Sequence, residues 1–333
     1  MFPAATRIGR RRAFTGSAVA LVVLAVLVWW VQPFSRTPPS GKVVFGTGTR
    51  AGVYQLYGEK LRGELAVDMP DLSVELKTSL GSQQNVAMVA LDKTQFAIAA
   101  ADAVENYRNE GKPGARDLRG VARLYDDYLQ LIVPVGSRVH HVDDLKGLRV
   151  GIGPDHSGVQ LIANGVLRAA GLDPAEDVVP HRDGIDTGPG KLERGEIDAF
   201  FWSGGLPTRG LVDLSKRFDY RFVPIESTLV TALHRQDDMV GHHYRPATMP
   251  ESAYPRAMDG EPVQTLAVSN LLITREDVDP ELIEWFTRTV IRSRDQIGEE
   301  VHAAQVVDVR TAVDTHPLPL HEGARTYYRS VKP

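Results

Sequence analysis

Cysteine is absent from all 333 residues of the chain. Its absence excludes disulfide bonds, thiolate metal sites and cysteine nucleophiles, and it leaves no cysteine for lipid attachment. A chain of this length can bury a large core and form two lobes. The apolar, charged and aromatic fractions, at 43%, 24% and 7%, are typical of a globular protein.

Motifs of common enzymes and cofactor sites are also absent. No GxxxxGK[ST] segment occurs, which excludes a P-loop. GTGTRAG at residues 46–52 has the spacing GxGxxxG rather than the GxGxxG of dinucleotide sites, and DHSGV at residues 155–159 lacks the first glycine of a nucleophile elbow. His242 and His243 are adjacent in a predicted loop, where they are poorly placed to chelate one metal ion. We therefore expect no cofactor, no metal and no enzymatic activity.

Basic residues are scarce outside the N-terminus. The chain has 38 Lys and Arg against 42 Asp and Glu, and removing the four arginines at positions 7, 10, 11 and 12 leaves 34 basic residues against 42 acidic ones. An acidic balance of this kind argues against binding to nucleic acid, which requires a basic face. It does not exclude a small anionic ligand, because helix termini can hold one locally.

The N-terminal segment predicts a membrane anchor. The basic residues 1–12 are predicted to be cytoplasmic, and the uncharged run at residues 13–31 spans roughly 28 Å as a helix, close to the hydrocarbon thickness. Residues 32–41 then form a short linker rich in proline. We expect a single-pass anchor at the cell membrane with the main domain extracytoplasmic. The alternative is a cleaved signal, since RRAF partly matches a twin-arginine signal, and the domain would then be secreted.

Apolar strands alternate with helices along the rest of the chain. This alternation predicts parallel sheets covered by helices, and therefore an α/β fold with two lobes joined by hinge strands. We assign residues 42–134 and 264–333 to lobe I and residues 135–263 to lobe II. LQLIVPVGS, at residues 129–137, is predicted to be one crossing strand, and residues 226–261 are predicted to be mostly loops.

Three glycine-rich turns share one design, in which an apolar strand is followed by a turn and a helix start. They are GTGTRAG at residues 46–52, LGSQQN at 80–85 and GPDHSG at 153–158. The first backbone N–H groups of a helix have no partner within the helix and favour a carboxylate or phosphate. In open α/β sheets such turns lie at the carboxyl ends of strands, where ligands bind. One such turn alone is more often a simple helix cap.

Two further features are interpreted from their neighbours in the sequence. Asp126 and Asp127 are predicted to be a solvated turn rather than a catalytic pair. Trp202 follows an apolar run, and the sequence leaves open whether it is buried or lies at the cleft.

The segments GTGTRAGVYQLYG, LGSQQNVAMVAL, DDLKGLRVGIGPDHSG, LERGEIDAFFWSGGLP and PLHEGARTYY follow one another as in the TAXI proteins. These are the extracytoplasmic solute-binding subunits of TRAP transporters, and the chain resembles them over residues 42–329. DLKGLRVGIG alone is shared by many type II periplasmic binding proteins. The opening turn, GSQQN and PLHEGA together are more specific.

The resemblance implies the two-lobed fold of type II periplasmic binding proteins, which closes on a small organic anion or amino acid by hinge motion. Glutamate-like carboxylates are the expected solutes, and TRAP-type permease subunits the expected partners. The ligand-binding residues carried over, together with those from the turns, are Thr47, Thr49, Arg50, Tyr54, Ser82, Asn85, Asp102, Ser157, Gly158 and Trp202. Among them, Asp102 is expected to receive an ammonium group.

Arg50 departs from the family pattern, in which the turn carries a small residue. It is expected either to pair with a carboxylate or to point to solvent. The uncleaved anchor also departs from the pattern and suggests a ligand sensor for a membrane partner. The sequence leaves two more functions open: an ABC-type binding protein for a sulfonate or thiamine precursor, and an enzyme that uses Asp102, Glu105 or His156 for proton transfer.

Overall fold

The structure is a computed structural model that describes residues 37–236 and 239–332. The described residues from Pro39 onward form one compact unit. The predicted cytoplasmic segment, the predicted anchor at residues 13–31 and the start of the linker lie outside the described residues. Within the described part, no helix has the length and apolar character needed to cross a membrane.

The N-terminal half of the described chain alternates strands and helices as predicted. In order, these elements are β1 (Gly41–Gly46), α1 (Val53–Asp68), β2 (Leu72–Lys77), α2 (Ser82–Ala90), β3 (Phe96–Ala100) and α3 (Ala101–Asn109). Every residue of β3 is buried, which is typical of a parallel strand covered on both faces. Helix α1 buries Tyr54, Tyr57, Leu61 and Leu65 on one stripe, at the spacing of an amphipathic helix.

A long strand leads into the second half. The elements that follow are β4 (Leu118–Pro134), β5 (Arg149–Gly151), α4 (Gly158–Ala169), β6 (Val179–His181), α5 (Gly188–Glu193), β7 (Ala199–Gly204), α6 (Arg209–Leu214), β8 (Tyr220–Val223), α7 (Ser227–Arg235) and β9 (Arg245–Met249). The chain then returns through β10 (Val263–Arg275), α8 (Pro280–Arg292), α9 (Arg294–Gly298), α10 (Val309–Ala312) and α11 (Glu322–Ser330). Short 3₁₀ turns cover Ala115–Asp117, Val142–Leu145, Met239–His243, Glu251–Ala253 and His302–Val306.

The strands form one sheet in the order β2-β1-β3-β10-β4-β7-β5-β6, with β8 paired to β4 and β9 paired to β10. Strands β1, β2 and β3 are parallel, whereas β10 runs antiparallel to both β3 and β4. The first part of β4 pairs with β10, and its last part pairs with β7 and β8. Strands β4 and β10 therefore connect the two halves of the sheet.

The apolar core divides along the same strands. One cluster contains Leu129 of β4, Val268 of β10 and most of the buried apolar residues that lie between them in the sequence. Two other clusters contain Tyr125 of β4 and Leu271 of β10, respectively, with buried residues that precede Leu129 or follow Val268 in the sequence. Strands β4 and β10 thus each pass, within a few residues, between the cluster that contains Leu129 and Val268 and the other two clusters. The fold is the α/β fold predicted from the sequence. The exact lobe boundaries, at residues 134/135 and 263/264, stay predictions.

Two local predictions were wrong. Strand β4 begins at Leu118 rather than Leu129. The sequence did not predict its first part because polar residues such as Asp126 alternate with buried ones there. Residues 226–261 contain helix α7 and strand β9 rather than loops alone. Helix α7 buries Val230 and Leu233.

Gly323, the glycine of PLHEGA, allows helices α8 and α11 to pack closely. Gly323 lies at the start of α11, where a Cβ atom would approach the carbonyl oxygen of Pro280 in α8 to 2.0 Å. His321 caps the same helix by accepting a hydrogen bond from the Gly323 N–H at 3.1 Å. The two helices can therefore meet only if residue 323 has no side chain.

We predict that Gly323→Ala lowers the free energy of unfolding by about 3 kcal/mol, because backbone must move to admit the methyl group. The matched control is Gly63→Ala in α1, where nothing lies within 4 Å of a Cβ atom. That change should raise stability by about 0.5–1 kcal/mol. Denaturant unfolding of both variants measures the difference, and equal effects would contradict the packing described here.

Candidate functional site

A cavity of about 50 Å³ lies where strands β4 and β10 pass between the apolar clusters, beside Asp127 and Val268. Its wall is formed by the turn after β1, the starts of α1, α2, α3 and α4, the end of β7, and single residues of β4 and β10. The helix starts meet here because they follow strands that end at the same edge of the sheet. The cavity therefore occupies the position at which α/β proteins bind ligands.

The starts of helices α2 and α4 face each other across this cavity. Gly81 has a φ of +126°, and a Cβ atom there would lie 3.5 Å from the Cα atom of Ser157. A Cβ atom on Gly158 would lie 3.0 Å from the Oγ atom of Ser82. The side chain of Gln83 donates a hydrogen bond to the carbonyl oxygen of Ser157 at 2.7 Å. The two turns are thus held together, and their glycines allow the backbones to approach closely.

Tyr54 links four chain segments at the wall of the cavity. Its hydroxyl lies 3.0 Å from the Oγ atom of Ser82, 3.2 Å from Oδ2 of Asp127 and within hydrogen-bond distance of Oδ1 of Asn270. The N–H of Ala100 donates to the Ser82 Oγ atom at 3.1 Å. We call Tyr54, Ser82, Asp127 and Asn270 the Tyr54 cluster. It connects α1, α2, β4 and β10.

Two buried carboxyl groups line the cavity. Asp102 and Asp127 are 1% and 4% exposed. Burial raises the pKa of Asp102 to about 6, against the opposing hydrogen bonds from Tyr244 and the Ala103 N–H. Burial raises the pKa of Asp127 to about 7; the Asn270 side chain and the Tyr54 hydroxyl oppose this shift, and repulsion from Asp102 and Asp126 adds to it.

The hydrogen bonding of these two carboxyl groups differs. The oxygens of Asp102 accept from the Tyr244 hydroxyl at 2.9 Å and from the Ala103 N–H at 2.7 Å. Asp127 accepts from Tyr54 through Oδ2, but its buried Oδ1 atom has no hydrogen-bond partner in the described part of the chain. A buried oxygen of this kind costs free energy unless a ligand satisfies it.

Basic side chains do not contribute to the cavity wall as described, which contains no Lys, Arg or His. The cavity therefore has a negative potential at its Asp127 side and helix N-termini at its other side. Among residues 37–236 and 239–332, no group of three or more His, Cys, Asp or Glu side chains could hold a metal ion.

Seven of the ten predicted ligand-binding residues line the cavity. They are Thr49, Tyr54, Ser82, Asp102, Ser157, Gly158 and Trp202. The sequence left open whether Trp202 is buried or lies at the cleft, and the structure shows both. It is 8% exposed, its Nε1 atom donates to the Thr208 Oγ1 atom at 2.9 Å, and its ring lies at the cavity wall.

The remaining three predicted residues lie elsewhere. Thr47 and Asn85 are fully buried, and the Asn85 side chain donates to the carbonyl oxygens of Thr47 and Ile98, so the pair supports the turn from behind. Arg50 is exposed and lines a separate, wider cleft together with Asp186. The structure therefore does not bring Arg50 to the cavity.

Asp127 and Asn270 were missed by the sequence analysis. The prediction that Asp126 and Asp127 form a solvated turn was wrong, because both lie in the middle of β4 and Asp127 is buried. The strand alternation carried the signal, since Tyr125, Asp127 and Leu129 share one face of β4. An acidic residue on an otherwise buried face is unusual and indicates a site.

Comparison with known proteins places the chain in a family. It belongs to the NMT1-like family, whose model matches residues 45–331. The solved structure of a protein from Bordetella bronchiseptica RB50 is similar, with 16% identity, a TM-score of 0.52, and coverage of 88% of this chain and 90% of that chain. The fold is that of the type II periplasmic binding proteins, as predicted. The predicted TAXI membership is not shown by this match and stays a prediction.

Two more solved structures are more distantly similar. One is a putative L-cystine ABC transporter from Listeria monocytogenes, with 14% identity, a TM-score of 0.49 and coverage of 80% and 98% of the two chains. The second is the periplasmic aliphatic sulphonate binding protein SsuA from Escherichia coli, with 13% identity, a TM-score of 0.43 and coverage of 89% and 84%.

We predict that Asp127→Asn raises the stability of the ligand-free protein at pH 8 by on the order of 2 kcal/mol. The folded-state pKa of Asp127, about 7, lies above the value near 3.9 of an unfolded aspartate. The folded state therefore binds the proton more tightly, and the stability contribution of Asp127 is lost as the pH rises from about 4 to about 7.

Asp126→Asn is the matched control, because Asp126 pairs with Arg123 and Arg245 and should lose stability at pH 8 when neutralised. Thermal unfolding of both variants at pH 4.5 and pH 8 measures these effects. A gain for Asp127→Asn that is equally large at both pH values would contradict the assignment.

Proposed function

We propose that this protein is an extracytoplasmic solute-binding protein that captures a small organic acid or amino acid between two lobes and passes it to a membrane transporter without chemical change. The observation that carries this proposal is the meeting of the α2 and α4 helix starts at a cavity between two cores. Backbone N–H groups at such starts suit a carboxylate, and glycines let the backbone approach a ligand without a Cβ atom in the way.

The transporter partner follows from the sequence resemblance. The TAXI-like segments PLHEGA and GSQQN both have structural roles here, at Gly323 and at the start of α2. They support a TRAP-type permease as the partner. The predicted N-terminal anchor would tether the protein at the outer face of the cell membrane.

The main alternative is a sensor that presents the bound solute to a membrane kinase, which the predicted anchor favours. A second alternative is an ABC-type binding protein for a sulfonate or thiamine precursor. Catalysis on the same scaffold has less support, because Asp102 lines the cavity whereas Glu105 and His156 do not. A permease or kinase gene beside the gene for this protein would favour transport or sensing, respectively.

We predict that a bound solute raises the thermal unfolding midpoint, because ligand that binds only the folded state stabilises it by about 3–4 kcal/mol at 100–1,000 times its dissociation constant. The measurement is thermal unfolding of the full chain against amino acids, monocarboxylates, dicarboxylates and sulfonates. Recovery of the solute unchanged after prolonged incubation tests the absence of catalysis.

Gly158→Ala should weaken binding by about tenfold, since its methyl group would lie 3.0 Å from Ser82 Oγ between the two helix starts. Gly165→Ala, in the same helix α4, is the matched control because its methyl group would contact only Leu233, at 3.4 Å. Equal affinities in the two variants would argue against ligand binding between the helix starts. A conversion product would contradict the carrier function.

A further inference from the structure

We propose that the solute carries a protonated amine and that Asp127 is the residue that receives it. This inference rests on the proposed solute-binding function and specifies its ligand class. The ligand class it names is a small amino acid or amine. Simple mono- and dicarboxylates and sulfonates are excluded as good ligands.

The cavity wall has unused hydrogen-bonding capacity. Oδ1 of Asp127 is buried and has no hydrogen-bond partner within the described residues, although the side chain lines the cavity. Nδ2 of Asn270, whose side chain opposes the raised pKa of Asp127, is also buried and has no partner in that part of the chain. Oγ1 of Thr49, at the same wall, is also buried and without a partner in the described part. A carboxylate oxygen can only accept hydrogen bonds, so the group that satisfies Asp127 must be a donor. An ammonium group provides three donors and the compensating charge.

The charges around the cavity also favour a cationic ligand group. Asp126, the neighbour of Asp127 on the opposite face of β4, contacts the guanidinium groups of Arg123 and Arg245. Asp127 has no such cation among the described residues, and the cavity wall contributes a second carboxyl group but no basic side chain. A buried carboxylate without a counter-charge is unfavourable. A cationic ligand group removes this penalty, whereas an additional anion near Asp127 increases it.

The two acids differ in how their oxygens are used. Each oxygen of Asp102 already accepts a hydrogen bond, one from the Tyr244 hydroxyl and one from the Ala103 N–H. Asp102 adds negative potential, whereas Oδ1 of Asp127 accepts no hydrogen bond within the described residues. Asp127 is held in place through Tyr54, which also contacts Ser82 and Asn270. This assignment moves the ammonium site from Asp102, where the sequence analysis placed it, to Asp127.

Calorimetric titration of the full chain with matched ligand pairs tests the inference. The pairs are glycine and acetate, alanine and propionate, and glutamate and glutarate, in which each second member lacks only the amine. We expect the amine-bearing member of at least one pair to bind about 100-fold more tightly than its partner. In Asp127→Asn this preference should fall below about fivefold, whereas Asp126→Asn should retain it.

The pH dependence provides a second readout that does not require a variant to fold. The titratable groups that act on Asp127 are Tyr54 from α1, Asp102 from α3, and Tyr125 and Asp126 from its own strand. Strand β10 contributes Asn270, which does not titrate. Because the ionised carboxylate binds the amine, affinity should rise several-fold from pH 6 to pH 8. Binding of an anion by the protonated acid would give the opposite slope.

The outcomes distinguish this inference from the proposed function. If acetate, propionate, glutarate or a sulfonate binds as tightly as the amine-bearing compounds, the amine requirement is overturned while solute binding stands. A preference for amines that persists unchanged in Asp127→Asn overturns the assignment to Asp127. If no compound of either series and no sulfonate binds, the proposed function and this inference both fail.

Discussion

The hydroxyl group of Tyr54 is the contact on which the geometry of the site depends. It lies within hydrogen-bond distance of Ser82, Asp127 and Asn270, and so connects helices α1 and α2 to the two long strands β4 and β10. These strands are where the chain crosses between its apolar cores. All four residues of the cluster fall within predicted lobe I, so the cluster fixes the position of Asp127 on one side of the cavity.

The cavity combines two kinds of binding group that a small zwitterion would use at once. Helix starts at Ser82 and Gly158 provide partial positive charge, while Asp127 provides an acceptor and negative charge. Hydrogen bonds from Gln83 to Ser157 and from the Gln84 N–H to the His156 carbonyl oxygen hold the two turns together. The described conformation thus has its cleft closed, and a solute that reaches the cavity requires these contacts to open.

Much of the fold followed from the sequence, and the reasons are visible in particular elements. Apolar runs such as β3 and glycine-rich turns before α2 and α4 carry strong local signals, and the structure contains all of them. The predicted start of strand β4 was too late. The adjacent acids Asp126 and Asp127 are typical of a turn in the sequence, and only tertiary packing buries Asp127. Asn270 gave no local signal, because it becomes significant only when β10 lies beside Tyr54. Arg50 looked suitable for a carboxylate by type, but its backbone position directs it to a different cleft.

The central claim is that a cationic group of the solute meets an ionisable carboxyl group whose pKa is raised by burial. The most direct measurement is the number of protons exchanged on binding, obtained by calorimetry at pH 7 in two buffers with different ionisation enthalpies. Because an ammonium group lowers the pKa of Asp127 from about 7, the account predicts the release of roughly half a proton per solute bound. Proton uptake on binding would contradict it, since it would mean that the protein holds its solute as an anion against a protonated acid.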